Sequence, residues 1–398
     1  MASSDVFLVL ALILIAAKLG GLASRQVGLP AVFGQLCAGV LLGPTAFGLL
    51  RSSSSLALGS ELGAVILMFV AGLETDVAGL RRLGGTAVAT AVGGVALPFA
   101  AGVALAGVFG LPITASLFVG ALLTATSVSI SVEALRDLGH LQSRVGTTIL
   151  GAAVIDDVLG LSILAVVAAA RGGANGVLPL VHTALFLPLA ALVGLTVVPR
   201  LGRWAARQPI EQAGLMAALA IALLYAWSAE TVGNMAAITG AYLAGLSVAR
   251  SEIRGPAIDG AKALGYGLLI PVFFVSVGAA ADLHGVGQSS LVFVALLIGA
   301  AVVTKACGCA LGARAAGLTG AEALRVGVGM VARGEVALVV AALGRAIGAL
   351  DGAVYAAAVA MTLVTTLLTP LLLRLTFIED PTASAPTAGY AAAATEGG

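Results

Sequence analysis

The sequence predicts an all-α integral membrane protein with about thirteen transmembrane helices, arranged as two inverted repeats with paired broken, crossing helices. Three observations support this fold class: the composition, a series of apolar segments and a pair of polar interruptions. Of the 398 residues, 60% are hydrophobic and 10% are charged, and the mean hydropathy is +1.11. Soluble domains carry roughly 25% charged residues, so this chain lacks the polar residues to cover a water-facing surface. The net charge of +1 gives no reason to expect a nucleic-acid partner.

Apolar segments of bilayer-spanning length follow one another along the chain. The thirteen segments are residues 5–23, 30–50, 58–74, 84–108, 112–138, 145–170, 178–202, 211–229, 233–249, 260–280, 288–313, 319–347 and 352–378. They make residues 1–378 one transmembrane domain. Residues 379–398, rich in Ala, Pro, Thr and Gly, are expected to form a disordered cytoplasmic tail.

Basic residues in the connecting loops predict the orientation. With thirteen spans, fourteen loop arginines and lysines fall on one side, and the other side holds only Arg51, Arg171 and Arg345. Cytoplasmic loops carry the excess of Lys and Arg in membrane proteins. We therefore expect the N-terminus outside and the C-terminus in the cytoplasm.

Two adjacent carboxylates, Asp156 and Asp157, lie in the apolar string GAAVIDDVLGLSILAVV. No other charged residue occurs between Arg144 and Arg171. A charged group at that depth costs about 2.5–3.5 kcal/mol on insertion scales, and such residues mark ion or proton pathways. The pair therefore indicates a pathway for a cation or a proton through the membrane.

A lysine, Lys305, also lies in the middle of an apolar segment, ALLIGAAVVTKACGCALGA. A lone ammonium there is costly, so we expect it to lie against Asp156 or Asp157. A purely structural ion pair that fixes helix registry is the alternative. The second aspartate argues against that alternative, because one lysine neutralises one carboxylate and leaves the other in need of a proton or a metal ion.

Polar strings interrupt two segments. Thr124-Ala-Thr126-Ser127-Val-Ser129 breaks segment 112–138, and Ala332-Arg333-Gly334-Glu335 breaks segment 319–347. Paired interruptions in corresponding positions of two halves indicate a transporter site, because unwound backbone at the midplane exposes carbonyls and helix ends to an ion.

The two interruptions correspond under a shift of 207 residues, which lays Ala125-Thr126-Ser127 on Ala332-Arg333-Gly334. The shift predicts repeats over about 5–170 and 211–378, with segment 178–202 as a linker helix. It maps six segments onto six across one connecting span, so the repeats must be inverted.

Side chains at the interruptions have two possible roles each. The hydroxyls of Thr126 and Ser127 are candidate ion ligands, or they bond to carbonyls one turn earlier. Arg333 and Glu335 compensate the partial charges of facing half-helix ends, or they form an internal salt bridge.

Four motifs together resemble the cation:proton antiporter-2 family: the GAAVIDDVLG string, the TATS interruption, the buried Lys305 and the string GMVARGEVALVVAALG. The resemblance runs from LPAVFGQLCAGVLLGP (29–44) to the last span, and it is greatest to the NapA-type bacterial sodium/proton antiporters. It implies that Asp157 carries either a proton or an alkali cation, and that Asp156 pairs with Lys305 in electrogenic exchange. It also implies a mobile six-helix core domain, a dimerisation domain in a homodimer, and an elevator-like movement.

Together, residues and resemblance predict a secondary transporter of a bacterial inner membrane that exchanges Na+ or Li+ for protons, with pH homeostasis as its expected role. Oxygen ligands suit such hard cations, and the candidates are Asp157, Asp156, Thr126 and Ser127. No cofactor and no enzymatic activity are expected. A K+/H+ antiporter of the same fold and a gated cation channel are the alternatives.

Overall fold

The structure is a computed structural model that describes residues 3–50, 54–76, 82–169, 178–280 and 291–377. In these ranges the regular structure is all helical. The helices, numbered here in chain order, are α1 Ser3–Gln26, α2 Ala31–Leu42, α3 Ser54–Glu74, α4 Gly84–Val108, α5 Ile113–Thr124, α6 Val128–Asp137, α7 Arg144–Ala169, α8 Leu178–Ala206, α9 Ala213–Thr231, α10 Ala237–Val248, α11 Arg254–Leu264, α12 Ile270–Ala279, α13 Leu291–Ala315, α14 Gly320–Gly329, α15 Glu335–Ala346 and α16 Gly352–Phe377.

Ten helical stretches in the described ranges are long and apolar enough to cross a membrane, and three shorter apolar helices lie in α2, α10 and α15. The predicted class, an all-α integral membrane protein, is confirmed. The number of thirteen crossings stays a prediction. The tail predicted at 379–398 lies outside the described residues.

The helices pack as two groups. A core group contains α4–α7 and α13–α16, and a scaffold group contains α1–α3 and α9–α12. Helix α8, the predicted linker, packs on α7 of the core group and on α9 and α10 of the scaffold group. Small residues let the helices of a group approach closely: a Cβ added to Gly93 of α4 would meet the carbonyl oxygen of Gly308 of α13, and the reverse also holds.

Corresponding helices of the two halves begin 207 residues apart, which is the shift that the sequence indicated. Gly84–Val108 and Leu291–Ala315 differ by 207 at both ends, and the starts of α5 and α6, at 113 and 128, correspond in the same way to 320 and 335 in α14 and α15. This regularity agrees with two repeats. Their inverted relation stays a prediction.

Both sequence interruptions break a helix. The first separates Thr124, the end of α5, from Val128, the start of α6, and the second separates Gly329 from Glu335. The two extended stretches contact each other, since the backbone N–H of Ser127 donates a hydrogen bond of 2.8 Å to the carbonyl of Ala332. The four half-helices therefore meet at one place inside the core group.

Candidate functional site

The buried lysine is paired with the first aspartate. Lys305 Nζ on α13 lies 2.8 Å from Asp156 Oδ1 on α7, and the two side chains are 0% and 2% exposed. The same ammonium donates a 2.6 Å hydrogen bond to the carbonyl of Thr124, the last residue of α5. Lys305 thus neutralises one carboxylate and the negative end of one half-helix.

The second aspartate, Asp157, faces a different environment, because adjacent helix positions point about 100° apart. Its side chain is half-buried and lines a cavity of about 680 Å³ between the core and scaffold groups. Its carboxylate accepts a hydrogen bond from the hydroxyl of Thr239, on α10 of the scaffold group. Of the two aspartates, Asp157 is the one that this cavity reaches.

Polar side chains lie on both sides of the cavity, whose lining is otherwise mostly apolar. The scaffold group contributes Ser60 and Glu61 of α3, Glu230 and Asn234 around the α9–α10 turn, and Ser276 of α12, and the core group contributes Asp157, Gly334, Thr362 and Thr366. Within the described residues, the buried hydroxyls of Ser276 and Thr362 make no hydrogen bond. The wall therefore offers carboxylate and hydroxyl oxygens along the approach to Asp157.

The two hydroxyl residues of the first interruption occupy different positions. Thr126 lines a smaller cavity together with Asp156 and Asp157, and its own hydroxyl lies 3.5 Å from the Thr124 carbonyl. The hydroxyl of Ser127 instead faces Gly334 at the crossing, where a Cβ on the glycine would lie 2.6 Å from it. The structure thus brings Thr126, and not Ser127, to the wall shared by both aspartates.

The guanidinium of Arg333, fully buried, donates only to carbonyls among the contacts described. Its partners include Val331 at 2.6 Å, Leu123 at 2.8 Å and Ala301 at 3.2 Å. The Leu123 carbonyl lies in the last turn of α5, and the Val331 carbonyl lies two residues past the end of α14, so both lie where the helix dipole is negative. Arg333 is therefore placed to compensate those ends. The side chain of Glu335 lies outside the described part of the chain, so its predicted role stays a prediction.

Ion pairs join the two groups at the end of α6. Asp137 accepts from Arg25 Nη2 at 2.7 Å and from the backbone N–H of Ala31 at 2.6 Å, and Arg136 pairs with Glu74 of α3. Further bonds of this network are Glu133 with Tyr266 at 2.8 Å and Glu74 with Lys262 at 2.7 Å. Its basic members belong to loops or helix ends that the charge bias predicts to be cytoplasmic.

Sequence reasoning missed two parts of this arrangement. Thr239 follows the α9–α10 turn in an apolar string, AAITGAYLAG, and nothing in that string separates it from a packing threonine. Glu61 and Glu230 lie near the ends of apolar segments, where a carboxylate is ordinary. Only the packing of α3, α9 and α10 around one cavity brings these side chains to Asp157.

The chain is a multi-pass helical protein whose broken helices cross beside two carboxylates, one paired with a lysine and one open to a cavity. This fold and this site define the class of secondary ion transporters. The model of the family described as "Sodium/hydrogen exchanger, transmembrane" matches residues 9–378. The chain belongs to this family, and the resemblance to the cation:proton antiporter-2 family is thereby confirmed. The narrower likeness to the NapA type stays a prediction.

Relatives of known name cover most of the chain. The Na(+)/H(+)-K(+) antiporter GerN of Bacillus cereus is 37% identical over 85% of this chain and 88% of its own length. A Na(+)/H(+) antiporter of Enterococcus hirae is 35% identical over 85% and 89%. The solved structure of the sodium proton antiporter MjNhaP1 from Methanocaldococcus jannaschii has a TM-score of 0.70 and 18% identity, and it covers 95% of this chain and 99% of that one. That structure supports the fold.

Proposed function

We propose that this protein exchanges Na+ or Li+ for protons across a bacterial inner membrane by alternating access, and that Asp157 carries the transported ion. The observation that carries the proposal is the division of labour between two adjacent carboxylates. Asp156 is buried against Lys305, and Asp157 lines the cavity between the two helix groups.

The chemistry of exchange follows from one carboxylate with two possible occupants. Na+ and Li+ are hard cations that take oxygen ligands, and a proton on Asp157 removes the charge that attracts them. Binding of one occupant therefore excludes the other. Thr126 and Asp156, which share the wall of the smaller cavity with Asp157, are the further ligands we propose.

The charge moved in each cycle is set by Lys305. In the proton-loaded state Asp157 and Lys305 are both protonated, and in the sodium-loaded state both have released a proton. Two protons then move one way for one Na+ the other way, so each cycle transfers one net charge. Asp156 stays ionised throughout and binds either the ammonium or, with Asp157, the metal ion.

Access to the site is proposed to alternate between the two ends of the interface between the groups. The cavity is lined by the start of α3 and the α9–α10 turn, which the charge bias predicts to be outside, and the α6 ion pairs lie at the predicted cytoplasmic end. This supports an outward-open state whose inner end is closed. A homodimer in which the scaffold group forms the subunit contact, with the core group moving as an elevator, follows from the resemblance alone.

Potassium is the second candidate ion. It is supported by the name of GerN, which includes K(+) beside Na(+) and H(+). A gated channel fits less well, because the lining of the cavity is mostly apolar, whereas a channel needs a continuous polar lining.

Reconstituted protein tests the proposal. Proteoliposomes with an internal pH dye and a set proton gradient receive Na+, Li+ or K+, and the variants are Asp157→Asn and the matched control Asp259→Asn, which changes an exposed carboxylate of α11. We expect Na+ and Li+ to move protons in wild type and in Asp259→Asn, and not in Asp157→Asn. A response to K+ alone would assign a K+/H+ antiporter, and no response from folded protein would reject cation exchange.

A further inference from the structure

One hydrogen bond joins the proposed ion carrier to the opposite helix group. Thr239 lies in the first turn of α10, which packs on α3, α8 and α9. Its hydroxyl donates to Asp157 Oδ2 on α7, a helix that packs on α4, α5, α6, α8 and α14. The bond thus crosses the interface along which the cavity opens.

The geometry determines what this bond does for the carboxylate. A donor on Oδ2 fixes the rotation of the carboxylate about the axis of its side chain. Fixing a ligand before binding lowers the entropy that the binding step must lose. Because the donor belongs to the scaffold group, it performs this function only while the core group is in the position described here.

We propose that Thr239 is a positioning residue of the transport cycle: its hydroxyl holds Asp157 ready for a cation in the outward-open state and releases it when the core group moves. The inference rests on the proposed exchange function. Its consequence is asymmetric, since the bond favours cation binding from the face at which the cavity opens and contributes nothing in the other state.

Sided vesicles test this asymmetry. Right-side-out and everted membrane vesicles from cells without other antiporters are prepared with wild type, Thr239→Val, Thr239→Ser and Thr196→Val. The last is a matched control, because Thr196 is a half-buried residue of α8 whose hydroxyl bonds to its own helix at Leu192. The rate of proton movement is measured against Na+ concentration at each face, which gives KM and kcat separately.

We expect Thr239→Val to raise the KM for Na+ at the outer face about tenfold, the equivalent of one hydrogen bond to a charged group. The KM at the inner face should stay unchanged or fall, because loss of the bond also shifts the population away from the outward-open state. Thr239→Ser, which keeps the hydroxyl, should restore the outer KM, and Thr196→Val should match wild type. A fall in kcat alone would indicate a merely structural role.

An equal rise at both faces, a rise at the inner face only, or an unchanged outer KM in Thr239→Val would overturn the inference. These outcomes bear on Thr239 only if the wild-type protein exchanges Na+ for protons. Absence of exchange in wild type would reject the proposed function itself, so the two failures are distinguishable.

Discussion

The buried pair of Asp156 and Lys305 makes a quantitative prediction about folding. Asp156→Asn leaves the ammonium without its carboxylate, and Lys305→Gln leaves the carboxylate without its ammonium. Since the side chains are 2% and 0% exposed, water does not replace the lost partner. Removal of one member of a buried pair typically costs about 3–5 kcal/mol, whereas replacement of both by neutral groups is close to neutral.

The structure suggests that both variants fall at the lower end of that range, because each keeps a hydrogen bond to the Thr124 carbonyl. In Lys305→Gln the glutamine amide still donates to this carbonyl, which now accepts from Nζ at 2.6 Å, and Asp156 loses its counter-charge. In Asp156→Asn the ammonium keeps that carbonyl and loses its counter-charge. We therefore expect each single variant to lose about 3 kcal/mol, and the double variant to recover a coupling energy of at least about 2 kcal/mol.

Unfolding in mixed micelles, with SDS as the denaturant and circular dichroism as the signal, gives the four free energies of the cycle. Arg144 and Glu322 supply the control cycle, because their 3.4 Å pair is 57% and 20% exposed. Exposed pairs contribute about 0–1 kcal/mol. A coupling energy for Asp156 and Lys305 no larger than that of the control pair would refute the electrostatic account of the site.

Three other predictions concern charge movement, the stability of the fold and access to the cavity. Lys305→Gln should abolish net charge movement, measured as current on a solid-supported membrane; electrogenic exchange with an unchanged proton count would show that the lysine carries no proton. Arg333→Lys should destabilise the fold by about 1.5–3 kcal/mol, the value of hydrogen bonds to a charged group, because one ammonium cannot reach the carbonyls of both half-helices. A free energy of unfolding in mixed micelles equal to that of wild type would contradict this. Asp137→Asn should weaken the ion pairs that close the cytoplasmic end, so that a smaller fraction of the protein is outward-open. An impermeant maleimide added outside should then label Ser60→Cys more slowly, in protein whose three native cysteines are replaced. Unchanged labelling would count against the α6 ion pairs as a closure.

The sequence could predict the broken helices and the carboxylate pair because both are polar groups in apolar surroundings. An interruption such as Thr124–Ser129 is visible as composition, and an isolated charge is costly wherever its helix lies. The choice between Asp156 and Asp157 as the partner of Lys305 stayed open on residues alone. Adjacent positions differ by about 100° in direction, and the sequence does not state which direction faces α13.

Contacts between distant segments were beyond sequence reasoning. Arg136 counted as one loop charge in the orientation argument, and nothing in the sequence indicates that it meets Glu74, 62 positions earlier. Thr239 is 82 positions from Asp157. Both contacts depend on how the scaffold group packs against the core group, which no local pattern encodes.

The kinds of contact within and between the two groups differ in a way that favours movement. Inside a group, small residues such as Gly93 and Gly308 bring helix backbones together, and interiors packed this way do not deform gradually. Between the groups, the named bonds are polar ones, at the end of α6 and at Asp157. Arg25, the partner of Asp137, is 65% exposed, and exposed ion pairs contribute about 0–1 kcal/mol each, whereas Arg136 and Glu74 are 18% and 13% exposed. The states of a switching protein differ by only a few kcal/mol. A few such bonds are enough to hold one state, and too weak to prevent the other.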